Sequence, residues 1–136
     1  MSAEVVRPGG PVFAAAISRW AARIDGMLRE RLYLKYPAAL DLIDEIDRTG
    51  MLPPLHEGAF TAFCHRPGEL REEITEAGLE VTDLVSVEGP AFILGDLDAR
   101  MADPVDRSIA LEVARAIERV SELVGFGPHL IATGIS

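Results

Sequence analysis

Residues 11–17 read PVFAAAI, seven positions without a charge, and their context decides the fold class. Upstream stands Arg7-Pro8-Gly9-Gly10, in which proline fixes φ and glycine supplies the positive φ of a turn. A short apolar run bounded by a turn suits a strand covered on both faces, as in a parallel sheet. Helical spacing follows at once. Trp20, Ile24, Met27 and Leu28 fall on one face, while Arg19, Arg23, Arg29, Glu30 and Arg31 take the wet side. Gly26 interrupts this stretch. A second helix is expected from Pro37, with Leu40, Ile43 and Ile46 inward and Asp41, Asp44, Glu45 and Asp47 outward; Gly50 and Pro53-Pro54 end it.

The same alternation continues downstream. Residues 59–65 (AFTAFCH) read as a short strand or extended segment. Pro67 sits where a first helical turn tolerates it, Leu70, Ile74 and Ala77 form the stripe behind it, and Gly78 is placed to cap it. Residues 79–87 (LEVTDLVSV) form the next strand, broken by Gly89-Pro90. Asp103-Pro104-Val105-Asp106 is a helix start, with Asp103 as N-cap, and Ile109, Val113, Ile117, Val120 and Val124 give that helix an amphipathic face. Gly125 and Gly127-Pro128 stop it, and residues 129–136 (HLIATGIS) read as a last strand. Three strands and about four helices, with β preceding α repeatedly, place the chain in the α/β class as a single domain over residues 1–136.

Composition narrows the function classes. The 136 residues are 49% hydrophobic and 26% charged, which suits one globular core and not a disordered chain. Thirteen basic against twenty-two acidic side chains leave a net charge of −9. That balance opposes nucleic acid and anionic membrane surfaces as partners. A single cysteine, Cys64, excludes an internal disulfide and a cysteine-built zinc site, and is expected of a reducing, cytoplasmic setting. The apolar run behind Arg7 is too short to span a bilayer, includes Pro11 and lacks a cleavage site, so it is not read as a signal peptide.

Motif by motif, the chemistry is thin. Gly9-Gly10 precedes a strand instead of following one, and Gly125-Phe126-Gly127 has neither a third glycine nor a helix after it, so neither is a dinucleotide loop. Asp96, Asp98 and Asp103 lack the glycine and closing glutamate of a calcium loop. Asp41, Asp44, Glu45 and Asp47 read as a solvated helix face, and no metal site is expected. Cys64 and His65 are adjacent on an extended segment, so their side chains diverge. Ligands of α/β folds gather at the carboxyl ends of strands. By that rule His65, ahead of Arg66-Pro67, and Ser18-Arg19-Trp20, after the first strand, are the places to look; the plainer reading of the second is a capping serine, an arginine and a core tryptophan.

Taken in order, these pieces resemble the carboxyl-terminal half of S-adenosylmethionine-dependent methyltransferases of the Rossmann-like class, in the branch of the ubiquinone/menaquinone biosynthesis type. EVVRPGG at 4–10 resembles the family's L-R-P-G-G turn before its fifth strand. FAAAISRW at 13–20, with Asp25-Gly26, resembles that strand and the entry to a substrate-covering insertion, about residues 19–58. FTAFCHRPGEL at 60–70 resembles the approach to the next helix, Ala77-Gly78-Leu79-Glu80-Val81 its end and the sixth strand, and PHLIATG at 128–134 the closing strand, antiparallel in that fold.

The resemblance implies a partial Rossmann-like sheet made of the last three strands, the final one antiparallel, with flanking helices and a helical insertion. It implies S-adenosyl-L-methionine as methyl donor and a small-molecule methyl acceptor. The family holds its donor through a first half, a glycine-rich loop and an acidic strand end, and no residue of this sequence matches those motifs. Only acceptor-side positions carry over: Ser18, Arg19 and His65 near the cleft, and Tyr33, Tyr36 and His56 in the insertion. No catalytic act is assigned to any of them. In that fold the fifth strand lies between the fourth and the seventh, so one edge of residues 11–17 is expected to be open. The chain is then expected to form a homo-oligomer or to pair with a complementary chain. The alternative function is a non-catalytic interaction subunit of the same fold; an unrelated small α/β enzyme acting through His65 is a third.

Overall fold

A computed structural model describes residues 6–136, so Glu4 and Val5 of the EVVRPGG stretch lie outside the described residues. In the turn, Gly9 adopts φ +76°, and the Gly10 amide donates to the Arg7 carbonyl at 2.7 Å. The chain leaves this turn as strand β1 (Pro11–Ser18). A π-helix (Ala22–Arg29), a single turn α1 (Leu32–Lys35) and helix α2 (Ala39–Thr49) follow. Gly50, at φ +82°, turns the chain into the short strand β2 (Met51–Leu52). Then come β3 (Ala62–His65), α3 (Pro67–Glu76) and β4 (Glu80–Ser86). A 3-10 turn (Pro90–Ile93), α4 (Leu97–Ala102), α5 (Pro104–Ile117) and β5 (His129–Ile135) complete the order.

The α/β class holds. The strands form one open mixed sheet in the order β2-β3-β1-β5-β4. β5 runs antiparallel between β1 and β4, pairing Pro11 with Ile135 on one side and Glu80 with Ile135 on the other. The expected three strands are corrected to five. β2 is two residues long, below any periodicity, and exists because it pairs with β3 through Met51–Phe63 and Leu52–Ala62. β3 in turn lies parallel to β1 at Ile17–Cys64 and Ser18–His65. The β1 edge expected to be open is therefore closed at its carboxyl end, while among the described residues 11–16 pair with no strand on that side.

Among the described residues the core lies on one face of the sheet, and the other face is covered only at the carboxyl ends of β1 and β3. Leu70 and Ile74 of α3, with Leu79, Leu84, Val124, Leu130 and Ala132, form the core, and Val12, Ala14 and Ala16 of β1 pack against it. The alternate positions of β1, Phe13 and Ala15, are exposed, so the run of residues 11–17 is not buried on both sides. Three helix expectations are also corrected. The stretch winds as a π-helix from Ala22, its Glu30 amide reaching the Asp25 carbonyl at 2.9 Å, and Trp20 and Leu28 are exposed. In α2, Ala39, Ile43 and Ile46 are buried while Leu40 is exposed. α5 stops at Ile117, and no residue in it is buried. Its cap is as expected: Asp103 accepts from the Val105 and Asp106 amides at 2.9 and 3.0 Å. Among the described residues no helix is long and apolar enough to cross a membrane.

Candidate functional site

The carboxyl ends of β1 and β3 lie side by side, and what their side chains do depends on which face each one takes. Ser18 and His65 are register partners, so they share a face with Val12, Ala14 and Ala16, the side that α3 covers. Ser18 is wholly buried, and its Oγ has no hydrogen-bond partner. It ends a strand and caps no helix, its amide donating to the Pro128 carbonyl at 2.8 Å. The His65 ring stands edge-on to Phe63 at 4.8 Å between centroids. Its Nε2 lies 3.0 Å from Glu73 Oε2, and its buried Nδ1 is unpartnered.

Arg19 is 2% exposed and belongs to the framework. Its Nε donates to the Cys64 carbonyl at 2.9 Å, its Nη1 to the Asp47 carbonyl at 3.3 Å, and its Nη2 to both Glu69 oxygens at 2.7 Å. The guanidinium carbon lies 5.6 Å from the Phe63 ring centroid. One side chain thus ties β3, α2 and α3 to the end of β1. Glu69 also accepts from the Arg66 amide at 2.8 Å, one half of a capping box at the start of α3. Burial pushes the Glu69 carboxyl up, but the Arg66 amide and the Arg19 guanidinium outweigh it and hold its pKa below the ordinary value. Ser18 and Arg19, expected near the cleft, are both buried within the fold.

The cleft lies on the other face, one residue out of step. Ile17, Cys64 and His129 point there, Ile17 pairing with each of the other two across the sheet. With Ala21, Gly26, Leu32 and Phe60 they line a cavity of about 270 Å³. A second cavity of about 420 Å³ brings together Tyr36 and His56, two of the expected acceptor-side residues, with Pro53 and Gly58. Leu52, Leu55 and Phe60 line both cavities, so the two form one groove running from the carboxyl end of β1 under the helical segment. Tyr33 is exposed on α1 and lines neither cavity.

The groove is apolar with few polar groups. Asp25 is engaged by Arg29 at 2.5 Å, and His56 Nδ1 lies 3.0 Å from the Glu57 carbonyl. His129 pairs with Glu88 through Nδ1. Burial pushes the Cys64 thiol up, more than nearby Arg19 lowers it, so it stays protonated and is a poor nucleophile. The π-helix shapes one wall. A Cβ on Gly26 would fall 2.9 Å from Leu32 Cδ1, so only glycine fits there without a shift. Interruptions of this kind recur at functional sites. Among the described residues no group of three His, Cys, Asp or Glu is placed to hold a metal ion.

Sequence reasoning missed Asp25, His129 and the Leu52-Leu55-Phe60 wall as groove residues. His129 could be found only from strand register, because β5 is remote in sequence from β1. No protein-family model matches the chain, and no curated protein matches it.

Proposed function

We propose that this chain is the acceptor-side half of an S-adenosylmethionine-dependent methyltransferase with a Rossmann-like sheet, acting on a small molecule. The observation that carries the reading is the position of β5, which comes last in order yet lies antiparallel beside β1, as the resemblance implies for the closing strand. The apolar groove at the carboxyl end of β1, roofed by the segment containing the π-helix, α1 and α2, supports the acceptor role. Tyr36 and His56 stand among its polar groups. Asp25 and Glu30 are both already engaged by Arg29, so a neutral acceptor suits the groove better than an ion. Positioning and exclusion of water are what such a groove contributes to methyl transfer.

The residues present do not fit the methyl donor. Gly9-Gly10 precedes β1, and Gly125 and Gly127 lead into β5 without a helix to follow. The donor-gripping half is therefore sought in another segment, joined along the free β1 edge at residues 11–16. A buried free Cys64 and a net charge of −9 accord with a cytoplasmic protein whose partners are neither nucleic acid nor membrane.

Calorimetry with S-adenosylmethionine tests this. The lone chain is expected to give no binding heat, and tight binding would overturn the half-site reading. Fused behind the donor-binding half of a methyltransferase of this class, the chain is expected to restore methyl transfer to an apolar acceptor. Donor binding without transfer would favour the second reading, a non-catalytic subunit.

A further inference from the structure

Two imidazoles stand in the groove, and the oxygen beside each decides what it offers a ligand. His129 is the first residue of β5. Leu130, the next, takes the core face, so the His129 side chain lies on the groove side with Ile17 and Cys64. Glu88, two residues past β4, is held beside it. The Val87 amide donates to the His129 carbonyl at 3.1 Å, and the His129 amide donates to Glu88 Oε2 at 3.2 Å. The other carboxylate oxygen, Oε1, bonds His129 Nδ1. A carboxylate only accepts, so Nδ1 carries the proton, and Nε2 of the neutral ring is left as an acceptor. His56, in the second cavity, is fixed the same way: its Nδ1 lies 3.0 Å from the Glu57 carbonyl, which also only accepts. Among the described residues neither Nε2 has a hydrogen-bond partner. The groove carboxylates, Asp25 and Glu30, are acceptors too, and both are engaged by Arg29.

We propose that the groove selects a neutral, apolar molecule bearing an O–H or N–H donor, read by His129 Nε2, with Glu88 as the positioning residue that sets the tautomer. An ether of the same shape brings only an acceptor to these acceptors and displaces the water that would otherwise satisfy Nε2. The wall of Leu52, Leu55 and Phe60 holds donor and ether alike, so the hydrogen bond decides between them. The Tyr36 hydroxyl donates as readily as it accepts and does not discriminate, and the Cys64 thiol is only a weak donor. The substrate class named in this way rests on the acceptor-groove reading above, but it needs no residue of the donor-gripping half.

Magnetic resonance of the isotope-labelled full chain, in mildly alkaline buffer, is the test. Long-range proton–nitrogen spectra read the ring tautomer, and titration with para-tert-butylphenol against para-tert-butylanisole reads the selectivity. The wild type is expected to show a protonated Nδ1 and a bare Nε2 at His129, and to bind the phenol about tenfold more tightly than the ether. In Glu88→Gln the amide oxygen must face the His129 backbone N–H, which can only donate. The amide NH2 then meets Nδ1, the ring proton moves to Nε2, and the preference for the phenol is expected to vanish or turn toward the ether. His129→Phe keeps a ring and removes the acceptor, so phenol affinity should fall about tenfold while ether affinity holds. A proton on Nε2 in the wild type, no binding of the phenol, equal affinity for phenol and ether, or a phenol affinity untouched by both substitutions would each overturn the proposal. Circular dichroism monitors folding, and His129→Phe carries the comparison if Glu88→Gln unfolds. No methyl donor enters the assay, so its failure is read apart from failure of the methyltransferase reading, which donor calorimetry decides.

Discussion

Replacing Arg19 with methionine removes the charge and the hydrogen-bonding fork while keeping much of the bulk. Three acceptors lose their donor: the Cys64 carbonyl, the Asp47 carbonyl and the Glu69 carboxylate. Removing one partner of a buried pair costs about 3–5 kcal/mol. Glu69 is 33% exposed and keeps the Arg66 amide, so solvent softens its share and the lower end, about 3 kcal/mol, applies. With a urea m-value of about 2 kcal/mol/M, the unfolding midpoint falls by roughly 1.5 M. Trp20, the only tryptophan and the next residue in the chain, reports the transition by fluorescence. The pH dependence has a definite sign. Because the folded Glu69 pKa is depressed, its stabilisation is fully present above the unfolded value near 4.5 and is lost as pH falls through the folded one. The gap between wild type and Arg19→Met should therefore narrow in acid below that value. A midpoint shift under about 0.5 M at neutral pH would refute the view of Arg19 as the clamp on three elements.

Two further substitutions probe the frame. Gly50→Ala forces an alanine into φ +82° and brings its Cβ to 2.7 Å from Arg19 Nη2, so it should destabilise by at least about 1–2 kcal/mol, read from the same urea curve. Asp103→Ala removes two capping bonds from α5 and should cost about 1 kcal/mol, with hydrogen exchange speeding in the first turn of α5.

Local signals in the sequence located most elements. The turn at Gly9-Gly10, the Asp103 cap and the Gly78 stop each act within a few residues, and each appears where its chemistry requires. Pairing was less legible. β2 is defined by β3, and nothing in Met51-Leu52 alone says strand. Amphipathy also says that a helix has an apolar side without saying that its own chain covers it, which is why α5 reads as packed yet leaves Val105, Ile109 and Val113 exposed. Which strand-end residues reach the groove turns on a single step of the strand period. Ser18 and His65 were expected at the cleft because they end their strands. Side chains alternate, so their neighbours Ile17 and Cys64 enter the groove while Ser18 and His65 turn to α3. Tyr36 and His56 both line the groove, because a covering segment needs no register to reach over a strand end.

The position of β5 has a consequence for biosynthesis. It joins β1 to β4, yet the ribosome makes it after both. Until residues 129–135 clear the exit tunnel, the nascent chain holds two strands with no bridge between them. Productive folding must await translation of that segment, and a chaperone shielding the waiting strands would act during that interval.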